Sequence, residues 1–315
     1  MKNLSTNTRR GFTLIELLVA MTITTIIITV LVSVTAMALD TWNRSRAEIK
    51  AARQAKSMID TMARDFESIV SRKGNAFEWL YAKSNPSSDG PRGSTPPNGI
   101  DLIFFSAATD RYEGRIGDST IDKGGDVSTV GYKLTYKDPI AGEDNDQYKT
   151  FVLYRKIVNP NVTFEKILGQ ASIKTPFETA VNTGDTGADI DNEVNFICEN
   201  VYQFKTTFHI RFTEGTTSKT VRVPVGHGAN SVKNISIKGV GMTDNNGENI
   251  TGITGATGAQ IKSAHLAAVD ISITVLSDFG IQQMRMRSDL TGTKLEEFIA
   301  EHSYQYSKVV QRPGS

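Results

Sequence analysis

The stretch Arg10-Gly11-Phe12-Thr13-Leu14-Ile15-Glu16-Leu17-Leu18-Val19-Ala20 decides how this chain is read. Upstream, residues 1–11 (MKNLSTNTRRG) carry Lys2, Arg9 and Arg10 and no acid. Downstream, Phe12 to Leu39 runs 28 residues with Glu16 as its only charge. A helix of that length extends about 42 Å, enough to cross a hydrocarbon core of roughly 30 Å. A secretory signal peptide has a shorter apolar stretch that ends at a small-x-small cleavage site, and here the apolar character simply continues. An ordinary membrane anchor accounts for the length but gives no reason for Glu16. A carboxylate near mid-membrane costs roughly 3 kcal/mol on insertion scales, which makes it a functional candidate unless it lies close enough to the interface to reach headgroups.

The junction resembles the class III leader of type IV pilins and of type II secretion pseudopilins. The resemblance covers a short basic leader, Gly11 before the cut, the aromatic Phe12 after it, Glu16 four residues on, and the apolar helix. It implies that a prepilin peptidase cleaves between Gly11 and Phe12 and N-methylates Phe12. It also implies that Glu16 pairs with the free N-terminal amine of a neighbouring subunit. A new cation and a lone carboxylate become acceptable in lipid or a filament core when each neutralises the other. Basic residues do not orient the segment, because Arg44, Arg46, Lys50, Arg53 and Lys56 on the far side balance those of the leader. The resemblance alone places the leader in the cytoplasm.

Thr22, Thr25, Thr29 and Ser33 form a polar stripe on one helical face. Their hydroxyls either bond across packed helices or bond back to their own helix. Pilin helices often carry a proline about twenty residues in; here Leu31-Val32-Ser33-Val34-Thr35 has neither Pro nor Gly, so this helix is expected to resist local unwinding. No Gly or Pro interrupts Phe12 to Lys73, and the pattern predicts one helix over that span. After Leu39 it becomes amphipathic, with Ala52, Ala55, Ile59, Met62, Phe66 and Ile69 on one face, and that stripe needs a partner surface. The expected organisation is a leader over 1–11, a transmembrane and assembly helix over 12–39, its amphipathic continuation over 40–73, and a β-rich head over 74–315.

Residues 74–99 are dense in Pro and Gly and read as a long exposed loop. Beyond them the period becomes two, in Tyr132/Leu134/Tyr136, in Tyr202 through Phe212, and in Val269 through Val275. Residues 100–105, 150–157, 220–225 and 232–238 are further strand candidates, and 295–302 reads as a late helix before an extended 304–310. Short strands following one long helix predict an α+β, pilin-like fold, with the helix packed on an antiparallel sheet. The segments Gly131-Tyr132-Lys133-Leu134, Leu153-Tyr154-Arg155 and Ala268-Val269-Asp270-Ile271 resemble the J-type minor pseudopilins. Glu16 argues against the K-type tip subunit, which typically lacks that acid.

The chain has 35 Lys+Arg against 34 Asp+Glu, a formal net charge of +1, so no nucleic-acid-binding surface is spread over it. Its one cysteine, Cys198, excludes an intramolecular disulfide framework and reads as an inert buried thiol. No nucleophile elbow, P-loop, His-Glu-x-x-His or dinucleotide fingerprint is found, and the four histidines lack metal-ligand spacing. No enzymatic activity is expected. The metal candidate is a calcium site at Asp185, Asp189, Asp191 and Glu193, carboxylates on a Gly-containing stretch suited to an oxygen-rich shell. Calcium also binds loops of some major pseudopilins. No other cofactor is expected.

The resemblance therefore implies a minor pseudopilin or pilin-like subunit of a type II secretion system or pilus-like fibre, anchored by a single pass in the inner membrane. Its head would be periplasmic or extracellular. Its partners would be other pilin or pseudopilin subunits, prepilin peptidase, an inner-membrane assembly platform and secreted cargo. The alternative is an adhesin or cargo-binding protein that shares the anchor and works through its head.

Overall fold

A computed structural model describes residues 12–85, 90–91, 99–107, 126–139, 147–182, 189–226 and 230–312. The chain forms two compact units, Met1–Ile49 and Lys50–Ser315. Helix α1 spans Leu14–Glu67. In the first unit every apolar side chain of its 14–39 stretch is exposed, Leu14 at 82% and Ile26 at 64%. An 18-residue window there reaches a mean hydropathy of 2.6 and is not buried at all, so the helix is long and apolar enough to cross a membrane.

In the second unit the same helix becomes a core element. Ala51, Ala55, Met58, Ile59, Met62, Ala63 and Phe66 are buried, and full burial of a Met or Phe side chain contributes about 1.5–3 kcal/mol. The helix stops at Glu67 rather than Lys73 although no Gly or Pro intervenes. The cause is competition from the sheet. Ile69 bridges Ser106, Val70 N–H donates to the Phe105 carbonyl at 2.9 Å, and Ala107 N–H donates to the Ser68 carbonyl at 2.8 Å. The β-branched pair Ile69-Val70 suits that extended pairing.

The strands form two sheets where the sequence predicts one. A seven-stranded sheet has the order β5-β4-β3-β2-β1-β8-β9, and a four-stranded sheet the order β11-β10-β6-β7. The first comprises β1 (Glu78–Ser84), β2 (Ile100–Ser106), β3 (Ser128–Lys137), β4 (Thr150–Val158), β5 (Phe196–Glu199), β8 (Asn234–Lys238) and β9 (Gly241–Thr243). The second comprises β6 (Val201–Glu214), β7 (Thr217–Val225), β10 (His265–Leu276) and β11 (Ser303–Gln311). Every strand pairing is antiparallel. The architecture is α+β, as expected from one long N-terminal helix followed by alternating strands.

Strand β1 corrects the loop expected over 74–99. It lies between β2 and β8, with Trp79, Leu80, Tyr81 and Ala82 buried. A central strand is apolar on both faces, so it shows no alternation, and the neighbouring prolines and glycines mask it. The connection from β4 to β5 carries helical turns α2 (Pro160–Val162) and Thr163–Ile167, then α3 (Lys174–Asn182). Helices α4 (Gly258–Lys262), α5 (Asp278–Met286) and α6 (Thr293–His302) complete the chain.

Helix and sheets meet in one core, traced by a run of rings. Phe66 of α1 stacks on Phe104 of β2 at 4.5 Å, Phe104 lies 6.4 Å from Tyr132 of β3, and Tyr132 lies 6.5 Å from Phe204 of β6. A buried acid lies beside these rings. Asp65, 2% exposed, accepts from the Tyr132 hydroxyl and from both Nε and Nη2 of Arg155.

Candidate functional site

Gly11 lies outside the described residues. Phe12, the residue that would follow the cut, is 89% exposed and stands two residues before α1. Thr13 is the cap of that helix. Its N–H donates to Glu16 Oε2 at 2.9 Å and its hydroxyl to the same oxygen at 2.8 Å, while Glu16 N–H reaches back to Thr13 Oγ1 at 3.4 Å. This reciprocal pair is a capping box, which satisfies amide groups that a first helical turn leaves open. Its Thr-x-x-Glu signature before an apolar run is legible in the sequence, yet a reading centred on the lone charge passes over it. Among the described residues Glu16 makes no ion pair.

Within the single chain, the three threonines of the stripe make the intrahelical bonds. Thr22 donates to the Leu18 carbonyl at 2.9 Å, Thr25 to that of Met21 at 2.8 Å, and Thr29 to that of Thr25 at 2.8 Å. These hydroxyl protons are already used within α1.

Three of the four carboxylates of the calcium candidate, Asp189, Asp191 and Glu193, fall among the described residues. Asp185 lies outside the described residues. Asp191 Oδ2 is 3.9 Å from Lys133 Nζ, and its carbonyl accepts from Lys137 Nζ at 3.2 Å. Asp189 supports the cation of buried Lys156, whose pKa is pushed down by desolvation and partly restored by that charge. Glu193 is exposed at the start of a short 3₁₀ turn, Glu193–Asn195. Among the described residues no three His, Cys, Asp or Glu side chains are grouped to hold a metal. Cys198 is buried, and desolvation pushes its thiol up to about 12, so it is not a thiolate at neutral pH.

Residues 6–32 match the model of the prokaryotic N-terminal methylation motif, which spans the leader junction, Glu16 and the first turns of the apolar helix. Among solved structures the chain is similar to a type IV-like pilin from Thermus thermophilus, at 12% identity over 84% of this chain and 97% of that one. The TM-score of 0.30 is too low to transfer any feature between them. No curated protein matches the sequence. A prepilin methylation motif heading a long helix, with antiparallel sheets behind it, makes this a type IV pilin-like chain. Its N-terminal helix is long and apolar enough to cross a membrane, consistent with a membrane-anchored pilin.

Proposed function

We propose that this chain is a minor pseudopilin or pilin-like structural subunit of a type II secretion or type IV pilus-like fibre. Residues 1–11 are its leader, removed by prepilin peptidase between Gly11 and Phe12 with N-methylation of Phe12. The segment over 12–39 is a single inner-membrane pass and an assembly element, the helix from there to Glu67 its amphipathic continuation, and 74–315 a periplasmic or extracellular head. The observation that carries the reading is Glu16: the one charge in a fully exposed apolar stretch, with no cation beside it among the described residues. Such a charge is costly in lipid unless a cation arrives, and the amine released at Phe12 of a neighbouring subunit is the cation that cleavage would supply.

The capping box gives Glu16 a second, purely local use, and the test must separate the two. A glutamine at N3 still serves a capping box but carries no charge. Glu16→Gln and Glu16→Ala are therefore compared for incorporation into fibres, with head folding followed by proteolysis. Loss of incorporation in both, with a folded head, supports the charge pair; normal incorporation of Glu16→Gln overturns it. Mass analysis of the membrane-extracted chain is expected to find N-methyl-Phe12 at the terminus, and a chain still beginning at Met1 overturns the processing.

A further inference from the structure

A small pocket in the head unit gathers cations from three separate stretches of chain. Its volume is about 70 Å³, and its walls include Arg72 and Lys73 just beyond α1, Lys238 at the end of β8, and Arg312 just beyond β11. Among the described residues no Asp or Glu lines it. A single water needs only about 15 Å³ of such space, so the pocket has room for a small polyatomic ion. Arg72 and Lys73 are exposed and make no ion pair among the described residues. Lys238 does sense a carboxylate, that of Glu78, but Glu78 is buried and its oxygens accept from Ser236 Oγ and from Ile173 N–H.

Arg312 is the best-anchored of these cations. Its Nη2 donates to Ser71 Oγ, another wall residue, and its guanidinium carbon lies 5.8 Å from the centroid of the Trp79 ring. These contacts hold the fork in a fixed plane, the arrangement that suits Arg to oxyanions rather than to point charges. Partial burial disfavours the cation of Arg312. With four cationic residues and no acid among its described lining, the pocket matches a multiply charged anion better than a singly charged carboxylate.

We infer that this pocket is an oxyanion site for a phosphate dianion, either the free ion or a phosphomonoester. This site is independent of the Phe12–Glu16 junction and of fibre assembly. Trp79 provides the readout, since the chain has only two tryptophans. The full chain carrying Trp42→Phe, in non-ionic detergent at constant ionic strength, is titrated with inorganic phosphate, O-phosphoserine and acetate. The expected result is a saturable change in Trp79 emission with the two phosphates and a far weaker one with acetate. Arg72→Ala and Lys73→Ala, both exposed and so harmless to the fold, should each weaken phosphate binding about tenfold or more, as loss of a charged hydrogen bond does. Lys294→Ala, exposed on α6 beyond the end of β10 opposite to the pocket, should not change it. Tighter binding of phosphoserine than of phosphate assigns the ester as source, and the reverse assigns the free ion. Equal response to acetate, no response beyond that of chloride, or equal weakening by Lys294→Ala overturns the site.

Discussion

Asp65 and Arg155 form a two-pronged ion pair inside the head, with Arg155 Nε 2.8 Å from Asp65 Oδ2 and Nη2 2.7 Å from Oδ1. Their side chains are only 3% and 12% exposed. The pair ties α1 to β4, and the Tyr132 hydroxyl adds β3 to the same carboxylate. The Tyr132 phenol is held well above its ordinary range, first by burial and then by the charge of Asp65, so it stays a donor.

Removing one partner should cost far more than removing both. Arg155→Ala leaves a buried carboxylate unpaired, and about 3–5 kcal/mol of stability is expected to be lost. Asp65→Leu combined with Arg155→Met replaces the pair by apolar volume and should fall within about 1–2 kcal/mol of the parent. Urea unfolding of the detergent-solubilised chain, followed by near-UV circular dichroism, measures both. A double variant as damaged as Arg155→Ala would mean that the pair supplies net stability rather than avoiding a penalty.

Gly131 on β3 faces Phe177 of α3 so closely that an added Cβ would overlap the ring, with Cε1 2.8 Å away. The close approach lets α3 lie flat on the sheet. Gly131→Ala should destabilise by about 1–3 kcal/mol through overpacking. Phe177→Leu in the same chain should recover part of that loss, because the clash is with the ring and not with backbone. Thermal melts of the two single variants and the double variant provide the cycle.

The legibility of these features follows from how each is encoded. The half-buried strands β6 and β10 alternate and so announce themselves, and α1 is unmistakable because nothing in 12–67 breaks it. Strand β1 hides because both its faces are covered. The end of α1 hides because it is set by Ser106 and Phe105, partners 37 and 35 residues away from Ile69 and Val70. Asp65 offered a signal that periodicity alone does not weigh: an acid three residues from Met62 on the buried stripe demands a buried cation, though only the fold names Arg155. At the N-terminal junction, Phe12 and Glu16 stand out by charge and context, whereas the Thr13 cap is visible only when the acid is read together with the residue three before it. The cationic pocket has no sequence signature, since Lys73, Lys238 and Arg312 in its walls stand 165 and 74 residues apart along the chain.

Glu78 gives the head a pH response of defined sign. Burial, the dominant influence, pushes its carboxyl up from the ordinary 4.5, against hydrogen bonds from Ser236 and Ile173 that favour the anion. The folded state therefore holds this proton at pH values where the unfolded chain has released it. By linkage, stability attributable to Glu78 is greatest below about 4.5 and declines as pH rises through the folded value. Glu78→Gln, which can still accept one of those hydrogen bonds, removes that slope. Its stability relative to the parent should improve from acid to neutral pH, and a difference that is flat with pH would show that Glu78 ionises normally in the fold. Asp101 is raised for the same reason, so the comparison must be between the two chains and not within one.

At the N-terminal junction the cap and the charge make separable demands on neighbouring side chains. Thr13 serves as acceptor for Glu16 N–H and as donor to its carboxylate, so Thr13→Ala loses the box while leaving the lone charge in place. Backbone amides of the first turn, Glu16 and Leu17 above all, should then exchange faster with solvent deuterium in micelles, and Thr13→Ser should restore them because serine caps as well as threonine does. Fibre incorporation should track the charge and not the cap: Thr13→Ala retains it, Glu16→Gln does not. If instead Thr13→Ala abolished incorporation while Glu16→Gln preserved it, the acid would matter for starting the helix, and the ion pair with a neighbouring amine would have no part in assembly.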